Sequence, residues 1–291
     1  MKHYILYNPL AGNGQYEQAA WLKSLRAGND EIVMQDITAL TDSDAYTAYL
    51  AGMGEDDRII LCGGDGTLNR FMNATAELPI SQPIFYYPCG TGNDFLHDIG
   101  IRDTAEPIDI KPYFHSLPTV EVNGKQYHFL NNVGFGIDGY CCEVGDAQKA
   151  ANANNPNAKP VNYTGIAIKG LLFHFKPCGA TVTVDGQAHH YKKVWLAPTM
   201  KGRFYGGGMM PTPEQDRNDP DGKLSVMVMH GSGKFHTLMV FPGIFKGEHV
   251  THTKMVDIHT GKDIHVTFDR PTAVQIDGET ILGVTEYHAY A

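Results

Sequence analysis

The heptapeptide Gly63-Gly64-Asp65-Gly66-Thr67-Leu68-Asn69 lies between an apolar run, Arg58–Cys62, and a stretch with helical spacing, Thr67–Ala76. A glycine turn from strand to helix leaves backbone N–H groups at the positive end of the helix dipole, where anions are favoured. Glycines let phosphate oxygens reach the backbone, the Thr67 hydroxyl can donate, and Asp65 is placed to hold a Mg²⁺ ion or its waters. Any two or three of these residues would suit an ordinary turn with Asp and Thr as caps. The whole heptapeptide in this setting points to phosphate binding.

Two further glycine-rich loops follow strand-like runs. His3–Tyr7 leads into Asn8-Pro9-Leu10-Ala11-Gly12-Asn13-Gly14, and Pro83–Tyr87 leads into Pro88-Cys89-Gly90-Thr91-Gly92-Asn93-Asp94-Phe95. Gln15–Arg26 and Ser43–Ala51 read as helices and Glu31–Ile37 as a strand. This alternation predicts βαβ units around an open, mostly parallel sheet. Ligands of such sheets lie outside the carboxyl ends of the strands, so the three loops are expected to converge on one nucleotide site. No G-x-x-x-x-G-K-[ST] sequence occurs, nor a G-x-G-x-x-G with a downstream acid, so neither a P-loop nor a dinucleotide fingerprint is supported.

The pattern changes near Ile110. With 291 residues the chain has room for two domains, expected here at 1–115 and 116–291. The second half reads as short antiparallel strands at Thr119–Val122, Gln126–Asn131, Ala180–Val184, Lys192–Pro198, Leu224–Met229, Asp263–Phe268, Ala273–Ile276 and Leu282–Tyr287. Asn123-Gly124, Asp185-Gly186 and Asp277-Gly278 mark hairpin turns. Helical pieces are expected at Thr164–Phe175 and Lys234–Phe245, and a mobile loop at Asn152–Pro160.

Composition removes several classes of function. Hydrophobic residues at 42% and charged residues at 19% supply a core and exclude global disorder. A formal net charge of −9 argues against a nucleic-acid binder. The five cysteines include no C-x-x-C pair, so neither a disulfide framework, a zinc site nor a redox dithiol is indicated. The first apolar run stops at Asn8-Pro9, too early for a signal peptide, and no stretch approaches the length of a membrane span. The expectation is a reduced, cytoplasmic protein with no transmembrane segment. The histidine pairs His189-His190 and His249/His252 read as surface residues.

Asn8-Pro9-x-x-Gly12, the Gly63–Asn69 string and Gly90-Thr91-Gly92-Asn93-Asp94 resemble, in the same order, the three nucleotide loops of the diacylglycerol-kinase catalytic-domain family, particularly its small soluble bacterial members. Similar strings continue through the β half: Asn132-Val133-Gly134-Phe135-Gly136-Ile137-Asp138, Gly206-Gly207-Gly208-Met209, Asp221-Gly222-Lys223-Leu224 and Gln275-Ile276-Asp277-Gly278-Glu279. The resemblance implies an α/β nucleotide domain followed by a β-sandwich-like domain, with the active site between them. It also implies an ATP- and Mg²⁺-dependent kinase that phosphorylates a hydroxyl of a diacylglycerol-like lipid met at the membrane surface. Whether the chain forms a homodimer is left open.

Carried over residue by residue, the resemblance places Asn8, Pro9, Gly12, Thr38, Gly63, Gly64, Asp65, Gly66, Thr67, Asn69, Thr91 and Asn93 at the ATP site, and Asp94 and Asp138 on the acceptor side. It assigns a structural Mg²⁺ to Asp221 and to main-chain carbonyls at Asn218 and Lys223; by itself this loop reads as a solvated Asp-Pro-Asp-Gly turn. It makes Glu279 the proton acceptor and Asp277 the partner that orients it, although Asp-Gly alone suits an exposed hairpin turn. Many relatives carry an Asn-Gly pair where this chain has Thr199-Met200-Lys201, which puts acceptor identity in question. Ile166–Lys176 is apolar with basic residues; packing on the β domain is favoured over contact with a bilayer.

Two rival functions stand beside the lipid kinase. A soluble-metabolite kinase of the NAD-kinase type is disfavoured by the Gly90–Phe95 and Gln275–Glu279 strings. A silent nucleotide- or lipid-binding regulator is disfavoured by the retention of Asp65, Asp94, Asp277 and Glu279.

Overall fold

Alternating buried runs and helices organise the first part of the chain, as the computed structural model shows; it describes residues 1–291 apart from 10, 12–15, 29, 91, 115–116 and 153–160. The chain divides into two compact units, Met1–Leu117 and Pro118–Ala291.

In the first unit the elements run β1 (Lys2–Tyr7), α1 (Ala20–Ala27), β2 (Glu31–Asp36), α2 (Ser43–Leu50), β3 (Arg58–Gly63), α3 (Asp65–Thr75), β4 (Ile84–Pro88), α4 (Asp94–Asp98) and β5 (Ile108–Asp109). The sheet order is β2-β1-β3-β4-β5, parallel throughout except for β5. The middle strands are continuous buried runs, as a sheet covered on both faces requires. Two helix starts differ from the sequence expectation. Helix α1 begins at Ala20, because Ala19 before it is extended at ψ 136°. Helix α3 begins at Asp65, because Gly64 is its extended N-cap, so most of the heptapeptide is itself the helix start.

The second unit contains β6 (Thr119–Val122), β7 (Lys125–His128), β8 (Asn132–Gly136), α5 (Ile137–Ala151), α6 (Tyr163–Lys169), β9 (Cys178–Val184), β10 (Gln187–Val194), β11 (Leu196–Met200), β12 (Leu224–Met229), α7 (Lys234–Val240), β13 (Val256–Gly261), β14 (Asp263–Ile276) and β15 (Glu279–Tyr290). All its strand pairs are antiparallel, in the order β13-β12-β11-β8-β14-β15-β6-β7, with β9 and β10 branching from β14. The chain therefore has an α/β unit with a mostly parallel sheet followed by an antiparallel β unit.

Long strand β14 replaces the two strands expected at Asp263–Phe268 and Ala273–Ile276. Its register shifts between Thr267 and Thr272, where Pro271 cannot donate to the ladder. The residues before the shift pair with β9 and those after it with β8, so one strand joins two neighbours in succession. The single strand expected at Lys192–Pro198 is divided between β10 and β11. Lys193 takes a left-handed conformation (φ 52°), and the pairing changes from β9 to β8 and β12. Strand β8 and helix α5 were not foreseen as elements: all five residues of β8 are buried, which removes the alternation that marks a half-exposed strand. The three expected hairpin turns are present with both central residues at positive φ: Asn123 and Gly124, Asp185 and Gly186, and Asp277 and Gly278. That is the type I′ geometry matching strand twist. Of the expected loop at Asn152–Pro160, only Asn152 lies within the described residues.

Candidate functional site

Each unit carries its own cluster of expected site residues. In the first unit, β1 and β3 are neighbours, so the loops after them leave the sheet side by side. The Asn8 side-chain Nδ2 donates to Thr67 Oγ1 at 2.9 Å and ties the first loop to α3. Thr67 is packed over the strand end: a methyl on Gly63 would stand 2.5 Å from its Cβ and Oγ1, so only glycine fits there. The Gly63 carbonyl accepts from the Tyr86 hydroxyl at 3.0 Å and from the Cys89 N–H at 2.7 Å, fixing where β3 ends.

The second and third loops meet backbone to backbone. A methyl on Gly90 would lie 2.7 Å from the Gly64 Cα, and one on Gly64 would lie 3.2 Å from the Gly90 Cα. Asn93 occupies a left-handed conformation (φ 51°) as the N-cap of α4, and its Nδ2 donates to the Gly90 carbonyl at 3.1 Å. The Asp65 carboxylate accepts the N–H of Asp94 at 2.8 Å and that of Phe95 at 3.3 Å. These bonds make Asp65 the clasp that holds the Gly90–Phe95 loop against the start of α3, where the sequence had suggested a ligand of Mg²⁺. Gly66 is different: among the described residues, and apart from its chain neighbours and its own helix backbone, no heavy atom lies within 4 Å of the place a side chain would start. The start of α3 is thus packed on one flank and open on another, as a phosphate cradle needs.

Asn69 is buried on α3, and its main-chain and side-chain oxygens accept from Asn73 Nδ2. Pro9 follows Asn8 at the end of β1. Thr38 sits in the short helix Ile37–Ala39 after β2, with its N–H and hydroxyl both donating to Asp36 Oδ1 at 2.8 and 2.7 Å. Asp94 is buried at the first turn of α4. Gly12 and Thr91, also expected at this site, lie outside the described residues.

The second unit groups Asp138, Gln275, Asp277 and Glu279. The Asp277 carboxylate turns inward and accepts the N–H groups of Leu130, Asn131 and Asn132, the last two at 2.8 and 2.9 Å. The resemblance made Asp277 the partner that orients Glu279; its carboxylate is instead claimed by three backbone amides. Glu279 opens β15 opposite Ile276 and is exposed. Gln275 joins the turn to the interior, since its Oε1 accepts the Gly278 N–H at 2.9 Å and its Nε2 donates to Asp138 Oδ2 at 3.3 Å. Asp138, in the first turn of α5, also accepts the Gly139 N–H at 2.9 Å, and burial pushes its carboxyl up to about 6. A methyl on Gly134 would reach within 2.9 Å of Asp138 Oδ2, so the Asn132–Asp138 string is shaped around this carboxyl.

Arg217 precedes the Asp-Pro-Asp-Gly turn, yet it is buried and donates to the Leu130 carbonyl and to Asn131 Oδ1, both on the segment that holds Asp277. An arginine among acids was the available signal, because a solvated loop gains nothing from burying one. Asp216 and Asp219 accept N–H groups within their own loop. Asp221 instead faces ammonium groups, Lys223 Nζ at 2.9 Å and Lys262 Nζ at 3.8 Å, and the Lys223 pair holds its carboxyl below the usual carboxylate range. The Lys223 carbonyl accepts from Gln215 Nε2 at 2.9 Å. Among the described residues no three His, Cys, Asp or Glu side chains gather as a metal site.

Two of the four acids set against a silent regulator, Asp65 and Asp277, thus bond backbone amides. A nucleotide-binding protein without turnover would need them as much as an enzyme.

Residues 2–112 match the diacylglycerol kinase catalytic domain, and residues 132–287 match the YegS C-terminal NAD kinase beta sandwich-like domain. The chain is similar to a diacylglycerol kinase of Mycobacterium tuberculosis, with 26% identity over 269 residues, covering 90% of this chain and 83% of that protein. It is 27% identical over 230 residues to a protein of Staphylococcus epidermidis named provisionally as a lipid kinase, covering 77% of this chain and 70% of that one. A crystal structure from Bacillus anthracis, described provisionally as a diacylglycerol kinase, superposes with a TM-score of 0.68 at 23% identity over 99% of this chain and 91% of that one. That likeness establishes the fold.

Proposed function

The chain belongs to the diacylglycerol kinase catalytic-domain family, and from that premise we propose that it transfers the γ-phosphoryl group of Mg²⁺-bound ATP to a hydroxyl of a diacylglycerol-like lipid. The observation that carries the reading is the joined pair of glycine loops: Gly64 packed on Gly90, Asp65 clasping the start of α4, and an open flank at Gly66. Triphosphate oxygens would bond the backbone N–H groups at the start of α3, with Thr67 as a hydroxyl donor and Asn8 and Asn93 fixing the flanking loops. Asp65 acts here as a positioning residue. Phosphoryl transfer needs little covalent help from a protein, so holding and orienting the phosphates supplies most of the catalysis.

In the second unit Glu279 is the proton acceptor for the lipid hydroxyl. Asp277 positions the turn through the amides of residues 130–132, and Asp138 and Gln275 brace it from inside. An exposed carboxylate on a braced turn suits a base that must meet an incoming hydroxyl within hydrogen-bond reach.

A structural Mg²⁺ on the Asp216–Lys223 loop also belongs to this reading. The donor chemistry fits, since Asp221 is the carboxylate of that loop whose partners are ammonium groups rather than amides, and a hard divalent cation can replace such charges. Asp221 and the carbonyls of Asn218 and Lys223 would hold it, and it would stiffen the loop beside β12.

Labelled ATP offered with a panel of lipid hydroxyls, and with NAD alongside, tests the assignment. Label on a glycerolipid supports it; label on NAD would replace it with the metabolite-kinase reading.

A further inference from the structure

The last rungs of the β14–β15 hairpin are bound to helix α5 at two places. Gln275 stands directly opposite Thr280, and the next pair is Ile276 opposite Glu279. Gln275 Nε2 donates to Asp138 Oδ2 at 3.3 Å, and Thr280 Oγ1 donates to Asp146 Oδ2 at 2.8 Å. Asp138 and Asp146 both lie on α5, about 12 Å apart along the helix. Two opposed side chains of one rung thus reach two carboxylates of one helix. The helix comes this close because Gly139 has no side chain: a methyl there would collide with the Ala273 carbonyl of β14.

The Asp146 carboxylate is divided between two donors. Its Oδ2 takes Thr280, while its Oδ1 accepts from Lys149 Nζ at 3.0 Å. Lys149 Nζ in turn stands over the Tyr163 ring, 5.8 Å from the centroid. That ring packs on Gly145, where a methyl would lie 2.6 Å from its Cε1. Tyr163 opens α6, so a contact between two helices sets the orientation of the carboxylate.

Neither bond to α5 is needed to make the turn. Asp277 and Gly278 already take the left-handed conformations of a type I′ turn, and the amides of residues 130–132 hold the Asp277 carboxylate. What the bonds to α5 determine is the direction of the strand end. Successive side chains of a strand face opposite ways, so Thr280 held towards α5 turns Glu279 away from the helix. Glu279 then shares the face on which Ile276 and Ile281 join the hydrophobic core. A base must meet its hydroxyl within hydrogen-bond distance, so a strand end free to tilt by about an ångström would forfeit much of its effect.

With Glu279 taken as the proton acceptor of the proposed function, we infer that Asp146, acting through Thr280, is a positioning residue that fixes the bearing of that carboxylate on β15. Asp138 and Gln275 brace the turn from inside; Asp146 governs the strand that leaves it.

Turnover of dispersed diacylglycerol by Thr280→Val, Thr280→Ser and Asp146→Ala, alone and combined with Glu279→Gln, supplies the test. Valine keeps the β-branched shape and loses the hydroxyl, so circular dichroism should be unchanged. Thr280→Val and Asp146→Ala should each lower kcat about tenfold or more, with KM for ATP unchanged. Their double variant should do no worse than either, because one interaction is lost in all three. Thr280→Ser should recover most of the turnover. In the Glu279→Gln background Thr280→Val should cost nothing more, since the base it positions is gone. Wild-type turnover in either single variant, or an equal loss with and without Glu279, would overturn the inference. Failure of the base reading shows separately, as full turnover of Glu279→Gln alone or a wild type that labels no lipid. Hydrogen exchange then decides on the clamp, at the amides of Asp277 and Gly278, which bond the Asn132 carbonyl and Gln275 Oε1. Both should open faster in Thr280→Val, and unchanged protection would sink the inference.

Discussion

Asp65 accepts the backbone N–H of Asp94 at 2.8 Å, joining the start of one helix to the start of another through a single carboxylate. Replacing it with Asn puts an NH₂ group against one of two amide donors. An unsatisfied donor of this kind costs roughly 1–3 kcal/mol. Asp65→Asn should therefore lower the melting temperature and weaken ATP binding together, measured by calorimetric unfolding and titration. Unchanged binding with unchanged stability would remove the clasp role.

Gly90 and Gly66 make a paired test of the cradle. Gly90→Ala drives a methyl against the Gly64 Cα, backbone on backbone, and should destabilise the unit as well as lose ATP. Gly66→Ala meets no atom of another described residue beyond its own helix within 4 Å, so the fold should be kept while ATP affinity falls, because the methyl takes space meant for phosphate. Retained ATP affinity in Gly66→Ala would place the nucleotide elsewhere.

Burial raises the Asp138 carboxyl from an ordinary 3.8 to about 6. Its proton is bound more tightly folded than unfolded, so this group contributes most stability below pH 4. That contribution is lost as pH rises through 6, about 3 kcal/mol in all, and is flat above 7. The stability of Asp138→Asn relative to wild type should accordingly climb between pH 4 and 6.5, whichever protein is more stable overall. A difference that does not change with pH would show that Asp138 is not a buried titrating acid.

For the Asp221 loop, millimolar Mg²⁺ should raise the melting temperature of wild type but not of Asp221→Ala, by mass action on the native state. Equal shifts in the two proteins would leave Lys223 and Lys262 as the partners of this carboxylate among the described residues.

Much of this arrangement is legible in the chain because local rules dominate where it was read. Asn-Gly and Asp-Gly steps specify their hairpins directly, and the glycine loops follow strands because a parallel sheet puts them there. What escaped reading depends on long-range partners. Asp277 looks outward in sequence, but its amide partners lie at 130–132, out of reach of any local pattern. Strand β8 is hidden because burial on both faces erases alternation, and β14 appeared as two strands because a proline bulge interrupts a continuous ladder. The buried Arg217 is invisible for the same reason, since its acceptors belong to residues 130 and 131.

The most direct test of the central claim is transfer of label from γ-labelled ATP to dispersed diacylglycerol by wild type and Glu279→Gln. Wild type should yield a phosphorylated lipid, and Glu279→Gln should lower kcat by about 10²-fold or more while ATP affinity is kept, the loss typical of a positioned base. A wild type that labels no lipid, or a Glu279→Gln variant that matches it turnover for turnover, would contradict the account.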